Sequence, residues 1–394
     1  MALSRRKFVR TVGVGTGAAL SSSIWGRGRE NSVWSAFEPD LQAVGRGVIC
    51  IASNENPVGP GKEVLAALEK LMSNGATPGR YSSQMGALTS AIASVYKVKP
   101  ENVILGEGST QILRSATQVF TSKTKALVGT IPTYEECSGY AELIGNPVKG
   151  VSLNSEFKID LDAFAAASKG AGLVFYCNPN NPVATYVGAK ATREFLTKVI
   201  SASPDTTILV DEAYFDYVTD PDHETHIPFA LEHPQVIVAR TFSKAYGMAG
   251  LRQGYAIAHA DTIKKLQDWD RAGGTSTLNV FGMAAATVAI QQGDAFLTNE
   301  RNRNKAVRDM AVKWFTDRGM KPTDCQANFM FVNIGTPVKA FREACRAKNV
   351  LVARDFPPFE KTHCRITLGT MEEMTKAVQV FGEVLGKTTA SAAA

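Results

Sequence analysis

Five short apolar runs, none of them alternating, each lead into a loop of unusual composition. They fall at residues 103–105, 126–128, 173–176, 208–210 and 236–238. Helical periodicity separates most of them. Continuous Val/Ile/Leu runs separated by helices predict a mainly parallel sheet buried on both faces, an α/β fold. In such sheets ligands gather beyond the carboxyl ends of the strands. The loops found there are Gly106-Glu107-Gly108-Ser109-Thr110, Pro132-Thr133-Tyr134, Asn178-Pro179-Asn180-Asn181-Pro182, Asp211-Glu212-Ala213-Tyr214 and Thr241-Phe242-Ser243-Lys244.

The pattern changes near Asn279. Helices are expected over 280–291, 296–318, 338–347 and 372–385, with strands at 328–332, 350–353 and 364–368, a smaller α+β domain. Residues 49–52 read as a strand leading into Ser53-Asn54-Glu55-Asn56-Pro57, and 63–72 and 87–96 as helices. The expected organisation is a leader over 1–29, an arm over 30–60 joining the small domain, a large domain over 61–279, a small domain over 280–386 and a disordered tail over 387–394. In strand 364–368, Cys364, Ile366 and Leu368 share one face, which turns Arg365 and Thr367 to the other and toward an interdomain cleft.

The net charge of +6 is confined to the leader, whose six basic residues (Arg5, Arg6, Lys7, Arg10, Arg27, Arg29) face no acid and leave 37 charges of each sign beyond it. That balance argues against nucleic acid as a partner. Arg5-Arg6 ahead of a mild apolar run from Val12 to Leu20 resembles a twin-arginine export signal, which predicts contact with the twin-arginine translocation machinery and an extracytoplasmic location. No later stretch approaches the roughly eighteen apolar residues of a membrane span. The six cysteines and five histidines lack metal-ligand spacing. His223 and His226 fall in a polar stretch expected to be a solvated loop.

Taken together, the strand-end residues suit one ligand. Gly108, Ser109 and Thr110 open a helix with free backbone N–H groups, a phosphate seat that Ser243 and Arg252 complete. Asp211 ends a strand inside the sheet, where its carboxylate needs a cationic partner such as a ring nitrogen. Asn181 and Tyr214 can hydrogen-bond a ring oxygen, and Tyr134 offers a stacking surface. Lys244, desolvated at a strand end, can form a Schiff base with an aldehyde. A phosphate, a pyridinium, a phenolic oxygen and an aldehyde describe pyridoxal 5′-phosphate.

With that ordered series, Gly-Leu-Arg-x-Gly over 250–254, and Ala52-Ser53-Asn54-Glu55-Asn56-Pro57-Val58-Gly59-Pro60, the chain resembles the fold type I, class I/II aminotransferases over roughly residues 45–385. Within them it is most similar to the histidinol-phosphate branch. The resemblance implies that Lys244 carries the cofactor, Asp211 pairs with its ring nitrogen, Asn181 and Tyr214 bind its hydroxyl, and Tyr134 stacks on it. Gly108, Ser109, Thr110, Ser243 and Arg252 hold the phosphate. Tyr81 reaches it from a second subunit, which implies a homodimer with shared active sites. Arg365, in Arg-Ile-Thr-Leu-Gly-Thr, binds the substrate carboxylate, with Arg354 and Asn54 also on the substrate side. Thr110-Gln111 departs from the family's Asp-Glu, and the tyrosine that helps seat a substrate phosphate has no evident match.

The implied reaction is a ping-pong exchange of an amino group between an L-amino acid, or histidinol phosphate, and a 2-oxo acid, with Lys244 moving the proton. Other chemistries of the same cofactor stay open: a lyase, racemase or oxidase shares these cofactor residues. A non-catalytic exported binding protein has no use for the lysine. An NAD-dependent dehydrogenase lacks its Gly-x-Gly-x-x-Gly run here.

Overall fold

The computed structural model describes residues 47–75, 79–80, 85–272 and 278–391. The leader, most of the arm and Tyr81 lie outside them. Within them a seven-stranded sheet runs in the order β2-β8-β7-β6-β5-β3-β4. Its strands are β2 Val103–Gly106, β3 Leu127–Ile131, β4 Val148–Ser152, β5 Leu173–Cys177, β6 Thr207–Asp211, β7 Val236–Thr241 and β8 Gly254–Ala258. β4, β3, β5, β6 and β7 are parallel, while β8 runs antiparallel to both β7 and β2.

Strand geometry sends successive side chains to opposite faces, and both faces here are covered. Val174, Tyr176, Ile208, Val210, Val236 and Val238 join one core, and Leu173, Phe175, Cys177, Leu209, Ile237 and Ala239 the other. Burying each of the larger side chains stabilises the fold by about 1.5–3 kcal/mol. This two-sided burial accounts for the missing alternation. The strands β4 and β8 are additions to the sequence pattern. β4 is Val-Lys-Gly-Val-Ser at the sheet edge, half exposed, and its Gly150 is required because a Cβ would lie 2.0 Å from the Ile131 side chain.

The smaller α+β domain is built on two two-stranded sheets. β1 (Ile49–Ile51) pairs in parallel with β10 (Val350–Val352), and β9 (Phe329–Asn333) pairs antiparallel with β11 (His363–Thr367). Helices Gly293–Thr316, Val338–Arg346 and Met371–Ser391 close its core, in which Phe315, Phe341 and Phe381 are wholly or almost wholly buried. Cys364 and Ile366 point into that core, which leaves Arg365 and Thr367 on the other face of β11.

Two features differ from the sequence pattern. The change of pattern near Asn279 assigns helix Val280–Gln291 to the small domain, yet Met283, Ala285, Ala286, Ala289 and Ile290 pack in the large-domain core with Val64, Leu88 and Ile92. An all-apolar helix has no marker for which neighbour it joins. The last helix continues to Ser391, into a tail whose small polar composition predicts disorder, because Lys, Thr and Ala tolerate helix propagation from a docked stem.

Candidate active site

Lys244 follows β7 in a tight turn. The Ser243 N–H donates to Thr241 Oγ1 at 3.1 Å, and the Gly247 N–H to the Lys244 carbonyl at 2.9 Å. Gly247 has φ 66°, and a Cβ there would lie 2.2 Å from the Gly59 carbonyl oxygen, so the turn presses directly on the segment after β1. Lys244 Nζ donates to the Ser53 carbonyl at 3.3 Å and stands 5.5 Å from the centre of the Tyr214 ring. Desolvation first, and then the charges of Arg365 and Arg252, push this ammonium down to about 8 against the opposing pull of Glu55 and Asp211.

Asp211 ends β6 and is 2% exposed. Its Oδ1 accepts from the Ala213 N–H at 3.1 Å; among the described residues Oδ2 has a weak donor, the Cys177 thiol at 3.9 Å. Burial raises this carboxyl to about 6. A buried carboxylate with so few donors is stable as an anion when a cation sits against it.

Gly108 begins helix Gly108–Phe120 with φ 68°, and its missing Cβ leaves room for Arg252, whose Nη2 would stand 2.6 Å from that carbon. No side chain among the described residues caps this helix, so its first N–H groups face outward beside the guanidinium. Gly254 allows the same closeness from β8, since a Cβ there would fall 2.3 Å from the Ser109 nitrogen. Ser109 and Thr110 lie in the first turn, and Tyr134 shares a hydrogen bond with Thr110. Burial raises the Tyr134 and Tyr214 phenols, so both are neutral.

The small domain contributes Arg365 from β11. Its Nη1 donates to Asn181 Oδ1 at 2.8 Å and its Nη2 to the Ala52 carbonyl at 2.7 Å. Its Nε is buried with no partner among the described residues. Asn54 takes a left-handed φ of 57° and donates from Nδ2 to the Tyr214 hydroxyl at 3.0 Å, while Thr367 Oγ1 donates to Asn54 Oδ1 at 2.9 Å. Arg354 lies beside Arg365, both guanidiniums resting against the Phe356 ring at 4.4 and 4.6 Å from its centre. It is ion-paired with Glu135.

The site therefore joins a helix N-terminus with an arginine, a buried carboxylate, a low-pKa lysine and a second, buried arginine whose Nε is unpartnered among the described residues. The family described as aminotransferase class I and II matches residues 46–381. The chain belongs to the class I and II aminotransferases. It is 33% identical over 348 residues to a histidinol-phosphate aminotransferase of Moorella thermoacetica, covering 86% of each chain. It is 30% identical over 344 residues to that of Bacillus subtilis strain 168, covering 86% of this chain and 92% of the other. A solved structure from Erwinia carotovora atroseptica superposes with a TM-score of 0.80 at 28% identity, covering 86% of this chain and 97% of that one. The fold is shared also with the Sinorhizobium meliloti histidinol-phosphate aminotransferase solved in complex with pyridoxal 5′-phosphate, at a TM-score of 0.79, 24% identity and coverage of 91% and 99%.

Pyridoxal 5′-phosphate is the cofactor, and the residues fit it. The uncapped helix end with Arg252 suits a phosphate dianion, and the under-satisfied Asp211 Oδ2 suits a pyridinium.

For several residues around this aminotransferase's site the sequence gives no sign of the partner. Asn328 Nδ2 donates to the Asn54 carbonyl at 3.0 Å, and Asn56 Nδ2 to the Ala245 carbonyl at 3.0 Å. Single asparagines in turns look alike until their partners, far off in the chain, are known. Beneath the site, Arg240 Nη2 meets Glu212 Oε2 at 2.8 Å and Nη1 meets Asp216 Oδ1 at 3.2 Å, all three buried. Burial alone would raise Glu212, but Arg240 and the His226 contacts hold it down to about 2. His226, expected in a solvated loop, is 3% exposed, with its backbone N–H on Glu212 Oε1 at 2.9 Å. The buried carboxylate recruits it because each of its lone pairs needs a donor.

Proposed function

We propose that this aminotransferase carries the amino group of an L-amino acid to a 2-oxo acid with Arg365 as the carboxylate seat and Lys244 as the proton carrier. The observation that supports it best is the buried Arg365, its Nε unpartnered among the described residues, in the same cleft as a lysine pushed down to about 8. When bound, pyridoxal 5′-phosphate supplies the electron sink that makes the Cα proton of an amino acid removable. Arg365 would orient the substrate through its carboxylate, exchanging its Asn181 and Ala52 contacts in part for the ligand. Lys244 would take the proton at Cα and return it to C4′ of the cofactor, two atoms further along, a task suited to an amine near neutrality. Asp211 keeps a negative charge against the ring, while Asn181, Tyr214 and Tyr134 fix the plane in which the proton moves. Gly108, Ser109, Thr110, Ser243 and Arg252 would anchor the phosphate.

A second donor, histidinol phosphate, is favoured by the 33% and 30% identity to aminotransferases named for it. We further infer a homodimer in which Tyr81 serves the neighbouring site, and export of the folded enzyme by the twin-arginine machinery. Sedimentation of the purified enzyme and the fate of a reporter fused to residues 1–29 test these two points.

The reaction itself is tested with donors carrying labelled nitrogen. The label should appear in the amino acid made from the 2-oxo acceptor, whereas an oxidase or lyase releases it as ammonia and a racemase leaves it in place. Lys244→Ala should lose multiple turnover, and borohydride reduction of the wild-type holoenzyme should leave a pyridoxyl group on the peptide containing Lys244. Full turnover by the variant refutes the assignment.

A further inference from the structure

Arg354 is the second guanidinium of the cleft, and on its own it would attract an acidic or phosphorylated substrate side chain. The structure gives it a resident anion. Glu135, directly after Tyr134 at the carboxyl end of β3, reaches across from the large domain to pair with Arg354 in the loop after β10. Both side chains are less than one-third exposed, at 30% and 18%, so solvent screens the pair only in part. Glu136, the next acid, is turned away onto Arg114. The Glu135 carboxylate is close enough to Arg365 to favour its charged form, while the Arg354 guanidinium opposes it more strongly.

We infer that Glu135 is a specificity-determining residue that closes Arg354 to anionic side chains and so favours donors whose side chain is uncharged. This rests on the aminotransferase reading above. With the donor carboxylate on Arg365, the next group on the Phe356 ring is the Arg354 guanidinium, whose charge is countered by Glu135. An apolar or aromatic side chain meets that surface without loss. A carboxylate or phosphate must either displace Glu135 from Arg354 or sit beside it, and like charges at contact distance are a strong discriminator.

The test compares holoenzyme of wild type, Glu135→Gln, and Glu135→Gln with Arg354→Gln. Gln keeps the shape and removes the charge, and the helix after Glu135 takes no side-chain cap from it, so the fold is not at stake. Single-turnover kcat/KM is measured for L-phenylalanine and L-aspartate, and binding of glutarate is measured by calorimetry. Wild type should prefer L-phenylalanine. The ratio of L-aspartate to L-phenylalanine should rise about tenfold or more in Glu135→Gln, with glutarate binding tightening alongside, and both gains should vanish in the double variant. An unchanged ratio with unchanged glutarate binding overturns the inference, as does a wild type that prefers L-aspartate. Failure of every protein to convert any donor would refute the aminotransferase reading instead, while glutarate binding still decides the role of Glu135.

Discussion

Lys244 is held where burial disfavours its ammonium, so replacing it should make the cofactor-free protein more stable. Its ammonium is lowered from 10.5 to about 8, chiefly by desolvation and then by Arg365 and Arg252. A depression of that size costs the folded state about 3 kcal/mol wherever the amine is charged in both states. Lys244→Met keeps most of the volume and removes the charge. It also removes the Nζ bond to the Ser53 carbonyl, worth about 1 kcal/mol. The net gain at pH 7 is therefore about 2 kcal/mol. The sign of its pH dependence follows from proton counts. Between pH 8 and 10.5 the unfolded chain binds a proton that the folded one has released, so wild-type stability rises through that window. By pH 10 the penalty falls below about 1 kcal/mol and the two proteins should be level. Urea unfolding of both cofactor-free proteins at pH 7 and pH 10 measures this. Equal stability at pH 7, or a gap that widens with pH, would refute the claim that Lys244 is strained by burial.

Ala184 is buried with φ 62°, a conformation costly for any residue with a Cβ; Ala184→Gly should stabilise the protein by about 0.5–1 kcal/mol in a denaturant titration, after the entropy gained by the unfolded chain is subtracted. Gly254→Ala puts a carbon 2.3 Å from the Ser109 nitrogen; pushing the helix start off the phosphate seat should weaken pyridoxal 5′-phosphate binding about tenfold or more, the loss of at least one charge-assisted bond, read by titrating the cofactor-free protein. Arg240→Leu leaves Glu212 and Asp216 buried without their cation and should cost about 3–5 kcal/mol by thermal or urea unfolding. Wild type should itself lose stability as pH falls from the ordinary 4.5 of a glutamate toward about 2, where Glu212 protonates; a wild-type profile flat across that range would count against the pair.

The chain's sequence determined the sheet class, because strands buried on both faces cannot alternate, and 173–176, 208–210 and 236–238 do not. It also determined which side chains stand at the strand ends, since Gly108, Asp211 and Lys244 each break a local pattern at a place where a parallel sheet gathers ligands. β4 and β8 stayed hidden, one diluted by Lys149 and Gly150, the other running straight into helix Ala260–Ala272 without the distinctive loop that marks its neighbours. Tertiary structure alone decided the contacts between distant segments. Arg365 meets Asn181 and Ala52, Asn54 meets Tyr214 and Thr367, and His226 serves Glu212 instead of solvent. The pairing of Arg354 with Glu135 belongs to the same class. A charge shows in sequence, but its partner across a cleft does not, because electrostatic pairing depends on separation in space and that separation is set by how the two domains pack.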